Sequence, residues 1–564
     1  MKNDDGQARS RSGRNRLFKG LRAGGRGQSL VALTLAAALL LSACASKRPN
    51  GEVADGRNVG YSNQTTSGTV APEPRQRVTP DDEEQAGNTE QYEHIDENPF
   101  LEVARAPLST FSIDVDTASY SNTRRFLKEG QLPPKDAVRI EELINYFAYD
   151  YPQPVGEAPF SVTAEISEAP WNPSHRLVHI GLQGKRIPLE NMPPANLVFL
   201  LDVSGSMNDP RKLPLVKAAM KTLAEQLTSR DRVAMVVYAG SSGLVLPSTP
   251  GDRKGEILSA IDRLEAGGST NGGEGIRLAY RVAEENFIRG GVNRVILATD
   301  GDFNVGVTSQ GDLVRLIEEK RRGGVFLSVL GFGTGNIKDS TMEMLADKGN
   351  GNYAYIDSLN EARKVLGEQI GGTLYTIAKD VKIQVEFNPR LAAAYRLIGY
   401  ENRILRDRDF NDDTKDAGEI GAGHTVTALY EVVPYGQKFE NPGVDPLKYQ
   451  EPAKPSEMAN SKELMTVKLR YKEPAQDQSK LVSVSLADSK TKLAGASENF
   501  KFASAVAAFG MLLRDSRYKS NASYNEVLQL ARSAVGADPQ GYRSEFIQLV
   551  ETARDLSARR ASRE

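Results

Sequence analysis

At 564 residues the chain is longer than one hydrophobic core usually supports, which excludes a single small domain and sets an expectation of roughly two to four. Hydrophobic residues make up 39% and charged residues 26%, with 71 basic against 73 acidic side chains, so no whole-chain charge draws it toward nucleic acid. Cys44 is the only cysteine, which excludes an intrachain disulfide and leaves stability to packed cores.

The first 28 residues carry eight basic side chains against two acidic ones. Leu30 to Leu41 follows, apolar apart from Thr34. As a helix it would reach only about 18 Å, too short for a hydrocarbon core of about 30 Å. Residues 1–44 therefore read as a secretory signal rather than a spanning anchor. The segment ends in Leu41-Ser-Ala-Cys44, which resembles the bacterial lipobox. That resemblance implies a lipid on Cys44 as the first mature residue, and hence attachment to a membrane. Ala45 in place of an Asp points, by the same resemblance, to the outer membrane facing the periplasm. Residues 45–98 are rich in Gly, Pro, Ser, Thr, Asn, Gln and acids, and bury too little apolar surface to offset their ordering entropy. They read as a disordered tether spanning on the order of 40 Å.

Residues 99–195 form a mixed flank. Ser119 to Gly130 and Asp136 to Tyr149 carry helical spacing, whereas Phe160 to Ile166 and Leu177 to Leu182 alternate as half-buried strands do. Over residues 196–377 apolar strands alternate with amphipathic helices. The strands are Leu197 to Leu201, Val233 to Val237, Val295 to Ala298, Val325 to Leu330 and Tyr353 to Ile356. One helix carries Val216, Met220, Leu223 and Leu227 on a single stripe. Continuous apolar strands with helices between them predict an α/β fold, a doubly wound, mainly parallel sheet. Strands return over 378–494, at Val381 to Phe387, Thr425 to Val433, Leu464 to Tyr471 and Leu481 to Leu486. Residues 495–564 read as helical, with Ser523 and Glu526 at capping-box spacing. The strands on either side of the α/β stretch are expected to form one β-sandwich, with 160–183 joining 381–486 and the α/β unit inserted between.

In such a sheet, function belongs at the carboxyl ends of the strands. Those ends offer Asp202, Ser204 and Ser206 in Asp202-Val-Ser-Gly-Ser-Met207, Thr270 in the loop Gly267-Gly-Ser-Thr-Asn-Gly-Gly273, and Asp300 after Val295-Ile-Leu-Ala-Thr299. All five are hard oxygen donors, suited to Mg²⁺ or another divalent cation such as Mn²⁺ or Ca²⁺. Gly205 is expected to turn the backbone tightly so that both serines face one point, and the loop glycines to permit close approach.

This set resembles the metal-ion-dependent adhesion site of a von Willebrand factor type A domain, and all five positions match. The flanks, including Asn411 to Tyr430, more loosely resemble those of bacterial lipoproteins built around such a domain. The resemblance implies direct ligation by Ser204 and Ser206, a direct or water-mediated role for Thr270, and aspartates acting mostly through water. It further implies that a partner protein's Asp or Glu carboxylate completes the coordination. The resulting expectation is a lipid-anchored cell-envelope protein, not an enzyme, that binds a protein partner through a divalent metal. Two alternatives stand beside it: a metal-dependent envelope hydrolase, against which no positioned general base accompanies the site and nearby Asp302 reads as an exposed loop acid, or a structural tether whose site only supports folding.

Other motifs read as structure. Ser204 lacks the flanking glycine of a nucleophile elbow. His175 and His179 lie in strand-like sequence that holds their side chains about 13 Å apart. Gly331-Phe-Gly-Thr-Gly335 reads as a strand-exit loop beside the metal edge. Asp407, Asp409 and Asn411 fail the calcium-loop pattern at its sixth and twelfth positions and read as an exposed acidic loop. Asp114-Val-Asp-Thr-Ala-Ser119 reads as a cap ahead of the first helix.

Overall fold

The computed structural model describes residues 90–269, 272–301, 303, 310–439, 448–449 and 454–562. The signal segment, Cys44 and the tether up to residue 89 lie outside the described residues. The expected tether boundary at 98 is corrected by residues 90–92, which are tied to the folded body. Gln91 N donates to Ile337 O at 2.9 Å, Arg125 Nη2 to Glu90 Oε2 at 2.9 Å, and Asn122 Nδ2 to Tyr92 OH at 2.7 Å. Polar partners hold this stretch where its composition offers little apolar burial.

Two short strands, β1 (Leu101–Glu102) and β2 (Leu108–Ser112), precede a helix at Ala118–Lys128. The helix expected over 136–149 is shorter, Ile140–Asn145, because Val138 is extended and closes a separate 3₁₀ turn at Lys135–Ala137. All six of its residues are buried, so the apolar spacing records burial on every side rather than one helical stripe. A long antiparallel pair follows, β3 (Phe160–Ala169) and β4 (Asn172–Gly184).

The α/β unit contains β5 (Ala195–Asp202), β6 (Arg232–Tyr238), β7 (Ser242–Pro250), β8 (Val292–Thr299), β9 (Phe326–Phe332) and β10 (Tyr353–Ile356). They lie in the order β10-β9-β8-β5-β6-β7, all parallel except β7, which runs antiparallel along the edge. β7 escapes sequence reading because Leu244 and Val245 are exposed and prolines occupy 247 and 250, a composition only an edge strand accommodates. Helices cover both faces. Leu197, Phe199 and Leu201 of β5 pack with Val216, Met220 and Leu223 on one side, and Val198 and Leu200 with Ala279 and Tyr280 on the other. That two-sided burial is why β5 is continuously apolar.

β11 (Thr376–Phe387), β12 (Ala392–Ile398), β13 (Gly418–Gly421), β14 (Thr425–Pro434), β15 (Glu463–Lys472) and β16 (Lys480–Ala487) complete the strands among the described residues. One sheet runs β1-β12-β14-β4-β3; the other runs β13-β11-β15-β16, with β2 also on β11. β4 pairs antiparallel with β14, His179 opposite Leu429, so strands from both sides of the α/β unit share a sheet. Phe111, Ile180, Val385, Tyr430 and Val467 pack together between the two sheets. The chain leaves this sandwich after Gly184 and re-enters at Thr376, with the α/β unit inserted between.

The final helices, Glu498–Arg514, Tyr524–Arg532 and Tyr542–Ala561, do not form a separate body. Phe500, Phe509 and Phe546 share a core with Leu143, Tyr146 and Phe147 of the amino-terminal flank. Ser523 Oγ accepts from Glu526 N at 3.3 Å and donates to Glu526 Oε2 at 3.1 Å, fixing the middle helix's start. Among the described residues no helix is long and apolar enough to cross a membrane.

Candidate metal centre

β5 and β8 are parallel neighbours, so Asp202, the last residue of β5, and Asp300, just past β8, arrive at one edge. Asp202 is fully buried. Its Oδ1 accepts from Ser204 N at 2.9 Å, and its Oδ2 from Tyr238 OH at 3.1 Å and Thr299 Oγ1 at 3.4 Å. With both oxygens engaged, Asp202 organises the turn and can reach a cation through water. Burial pushes its carboxyl above the ordinary range; the hydrogen bonds from Ser204 oppose this, and the nearby charge of Asp300 adds to it.

Ser204 Oγ and Ser206 Oγ stand 3.0 Å apart, Ser204 buried and Ser206 exposed. Two adjacent ligands of an octahedral Mg²⁺, each at about 2.0 to 2.1 Å, are about 2.9 Å apart, so this hydroxyl pair fits such an ion.

Gly205 does not play the expected part. It opens a 3₁₀ turn, Gly205–Met207, without a positive φ, and an added Cβ would meet Gly268 O only at an ordinary 3.5 Å. What it contributes is backbone: Gly205 N donates to Gly268 O at 3.0 Å, while Gly267 N donates to Val203 O at 2.7 Å. Gly268 is the constrained position, with φ +85° and only 3.2 Å between its would-be Cβ and Gly240 N. Thr270 and Asp302 lie outside the described residues.

A cation already reaches this edge. Lys212 Nζ donates to Asp300 Oδ2 at 2.8 Å, with both side chains buried. Sequence reading missed Lys212; the available signal was a lysine immediately before the helix Leu213–Gln226, the first helix after the serine turn Gly205–Met207. Its stem lies across Gly333, whose φ is +75° and whose added Cβ would fall 2.5 Å from Lys212 Cγ and Cε. Gly331 and Phe332 still belong to β9, so the strand-exit loop begins at Gly333 and is part of the wall around Asp300's partner. Tyr238 and Thr299 were also missed, although Tyr238 is the register partner of Asp202.

The remaining acidic and histidine motifs have other work. Asp114 and Asp116 do not cap the first helix: both are buried and pair with Arg403, and Asp116 Oδ1 accepts from Tyr353 N at 2.8 Å. The helix start is served instead by Glu142 Oε2, which accepts from Ser119 N at 2.8 Å. Asp114, Glu142 and Glu343 bring carboxylate oxygens within 4.8 Å of one another, but Arg139 and Arg403 run through the group as counter-charges. Asp407–Asn411 is a 3₁₀ turn, Asp407 accepting from Thr110 Oγ1 at 2.8 Å and Asp409 from Arg406 N at 3.3 Å. His175 bonds Glu431 at 2.6 Å and His179 bonds Tyr151 OH at 2.8 Å.

Three family models match segments that follow this architecture. A family model described as von Willebrand factor type A domain matches residues 196–368, and one described as von Willebrand factor matches 86–179. A third, "Uncharacterized protein YfbK, C-terminal", matches residues 372–556. The chain is 46% identical over 475 residues to "Uncharacterized protein YfbK" of Escherichia coli strain K12, covering 82% of this chain and 81% of that protein. The chain belongs to the YfbK family. Human inter-alpha-trypsin inhibitor heavy chain H4 shares less, 30% identity over 148 residues, 25% of this chain and 16% of that one. A solved von Willebrand factor type A protein from Catenulispora acidiphila is 17% identical, covers 69% of this chain and 89% of its own, and superposes with a TM-score of 0.39. In this YfbK-family chain the type A match spans Asp202, Ser204, Ser206, Thr270 and Asp300, and the matches on either side fall on the sandwich and the helical flank that enclose the insertion.

Proposed function

We propose that this protein binds a partner protein through a divalent cation held by Ser204 and Ser206, with Thr270, Asp202 and Asp300 supporting it directly or through water. The observation that carries the reading is the 3.0 Å Ser204–Ser206 hydroxyl pair beside two buried carboxylates at one sheet edge. A bound Mg²⁺, Mn²⁺ or Ca²⁺ would supply an open position for an anionic oxygen, and a partner's Asp or Glu carboxylate is the ligand that suits it. Ser206 faces solvent, so a protein surface has access to that position. The protein acts as a binding module rather than an enzyme, anchored in the cell envelope by lipid on Cys44, on the periplasmic side of the outer membrane.

The test joins metal and partner. Calorimetric titration with Mg²⁺ should give saturable binding to the natural chain and none to Asp202→Ala. Capture of partners from envelope extract should fall in parallel with EDTA and with Asp202→Ala. Capture unchanged by both treatments would leave the site a structural feature of a tether.

A further inference from the structure

We infer that Lys212 is a built-in cation of this site, one that weakens metal binding in the free protein and strengthens the hold on an acidic ligand. The inference rests on the reading proposed above and adds a residue to which that reading gives no part.

Lys212 is held in a slot. Its Nζ sits 2.8 Å from Asp300 Oδ2, the lysine side chain 9% exposed and the aspartate fully buried. Its backbone is pinned at both ends: its N donates to Asp209 O at 2.9 Å, and its O accepts from Val216 N at 2.9 Å in the first helical turn. The stem runs over Gly333, where any side chain would collide with it at 2.5 Å. The neighbouring Arg211 points elsewhere, donating to Glu129 Oε1 at 3.1 Å. An ammonium so confined is a fixed charge of the site rather than a mobile surface group.

Charge then decides the behaviour. Asp202, Asp300 and Lys212 together carry one negative charge. A divalent cation converts that to one positive charge, which an incoming carboxylate neutralises. Without Lys212 the two aspartates alone would neutralise the metal and leave no residual charge for the ligand. Lys212 therefore repels the metal and attracts the carboxylate. The metal and the carboxylate strengthen each other reciprocally, and at one fixed, subsaturating acetate concentration that gain shrinks when Lys212, which helps hold the acetate, is removed.

The experiment is Mg²⁺ calorimetry on the full chain and on Lys212→Met and Lys212→Arg, each with sodium acetate as the carboxylate probe or sodium chloride at equal ionic strength. In the natural chain acetate should tighten Mg²⁺ binding at least fivefold. Lys212→Met should bind Mg²⁺ alone at least tenfold more tightly, with the acetate effect reduced below twofold, while Lys212→Arg should behave as the natural chain. If Lys212→Met is unfolded without metal, millimolar Mg²⁺ should restore its thermal transition; failure to restore it overturns the inference. Equal or weaker Mg²⁺ binding by a folded Lys212→Met also overturns it, while metal binding by the natural chain leaves the proposed function standing. Binding to Lys212→Met but not to the natural chain would support Lys212 as the group that holds the metal off. Binding to neither removes both readings.

Discussion

Arg124 Nη2, on the helix Ala118–Lys128, donates to Glu361 Oε2 of the inserted α/β unit at 2.7 Å, with the two side chains 2% and 0% exposed. The same guanidinium reaches Asp357 through Nε at 2.7 Å, and Tyr146 OH donates to Glu361 Oε2 at 2.8 Å. One buried arginine thus serves two buried carboxylates across the junction. Removing a single member leaves uncompensated charge, which costs far more than the intact pair contributes. Arg124→Ala should lower stability by about 3–5 kcal/mol in urea unfolding. A loss below about 1 kcal/mol would mean that water or a rearranged Lys364 neutralises the pair.

Asp202 offers a contrast in which removing charge helps. Burial holds its carboxyl above the ordinary range, so carrying the ionised form at neutral pH costs folding energy when no cation is present. Asp202→Asn keeps the shape and should raise the thermal midpoint in EDTA by about 2 °C. It should also abolish any Mg²⁺-induced rise. Scanning calorimetry with and without Mg²⁺ measures both.

Glu141 sets a pH dependence away from the metal edge. Burial pushes its carboxyl up to about 8, with Glu401 and Asp114 adding to the effect. A group held above its unfolded value near 4.5 contributes stability that is full below that value and lost as pH rises through about 8. Between pH 5 and 8 the natural chain should therefore lose stability relative to Glu141→Gln, by up to a few kcal/mol. His179 and His424, both lowered to about 4 by burial, act in the opposite sense on acidification, present in both proteins and cancelling in the difference. Parallel unfolding midpoints for the two proteins across that range would contradict the assignment.

Two glycines separate backbone need from accident. Gly333 has φ +75° and lies against Lys212, so Gly333→Ala should cost about 1–2 kcal/mol. Gly255, inside the helix Lys254–Asp262 with nothing within 4 Å of its would-be Cβ, should tolerate Ala with a gain of about 0.5–1 kcal/mol. Thermal unfolding of the two variants side by side reads the difference.

The α/β class was legible because its cause is local: β5 and β8 are buried on both faces and read as apolar runs, and the helix Leu213–Gln226 shows its stripe. β12 was not legible, since Ala392, Ala393 and Ala394 favour helix by propensity and become strand only between β1 and β14. The acids at 114 and 116 looked like a cap because capping is the local use of Asp. Their actual partner, Arg403, lies nearly 300 positions away.

The sequence by itself determined which oxygens could gather: serines two apart in a turn after one strand, and an aspartate after another, each presented by its own short stretch of chain. Only the tertiary structure decided what stands among them. The β5–β8 pairing brings Asp202 and Asp300 to one edge, and the helix that follows the serine turn delivers Lys212 to Asp300 across Gly333. Period and motif report how a residue meets its neighbours along the chain. The charge of a site is a sum over groups far apart in sequence, which the fold alone brings within a few ångströms.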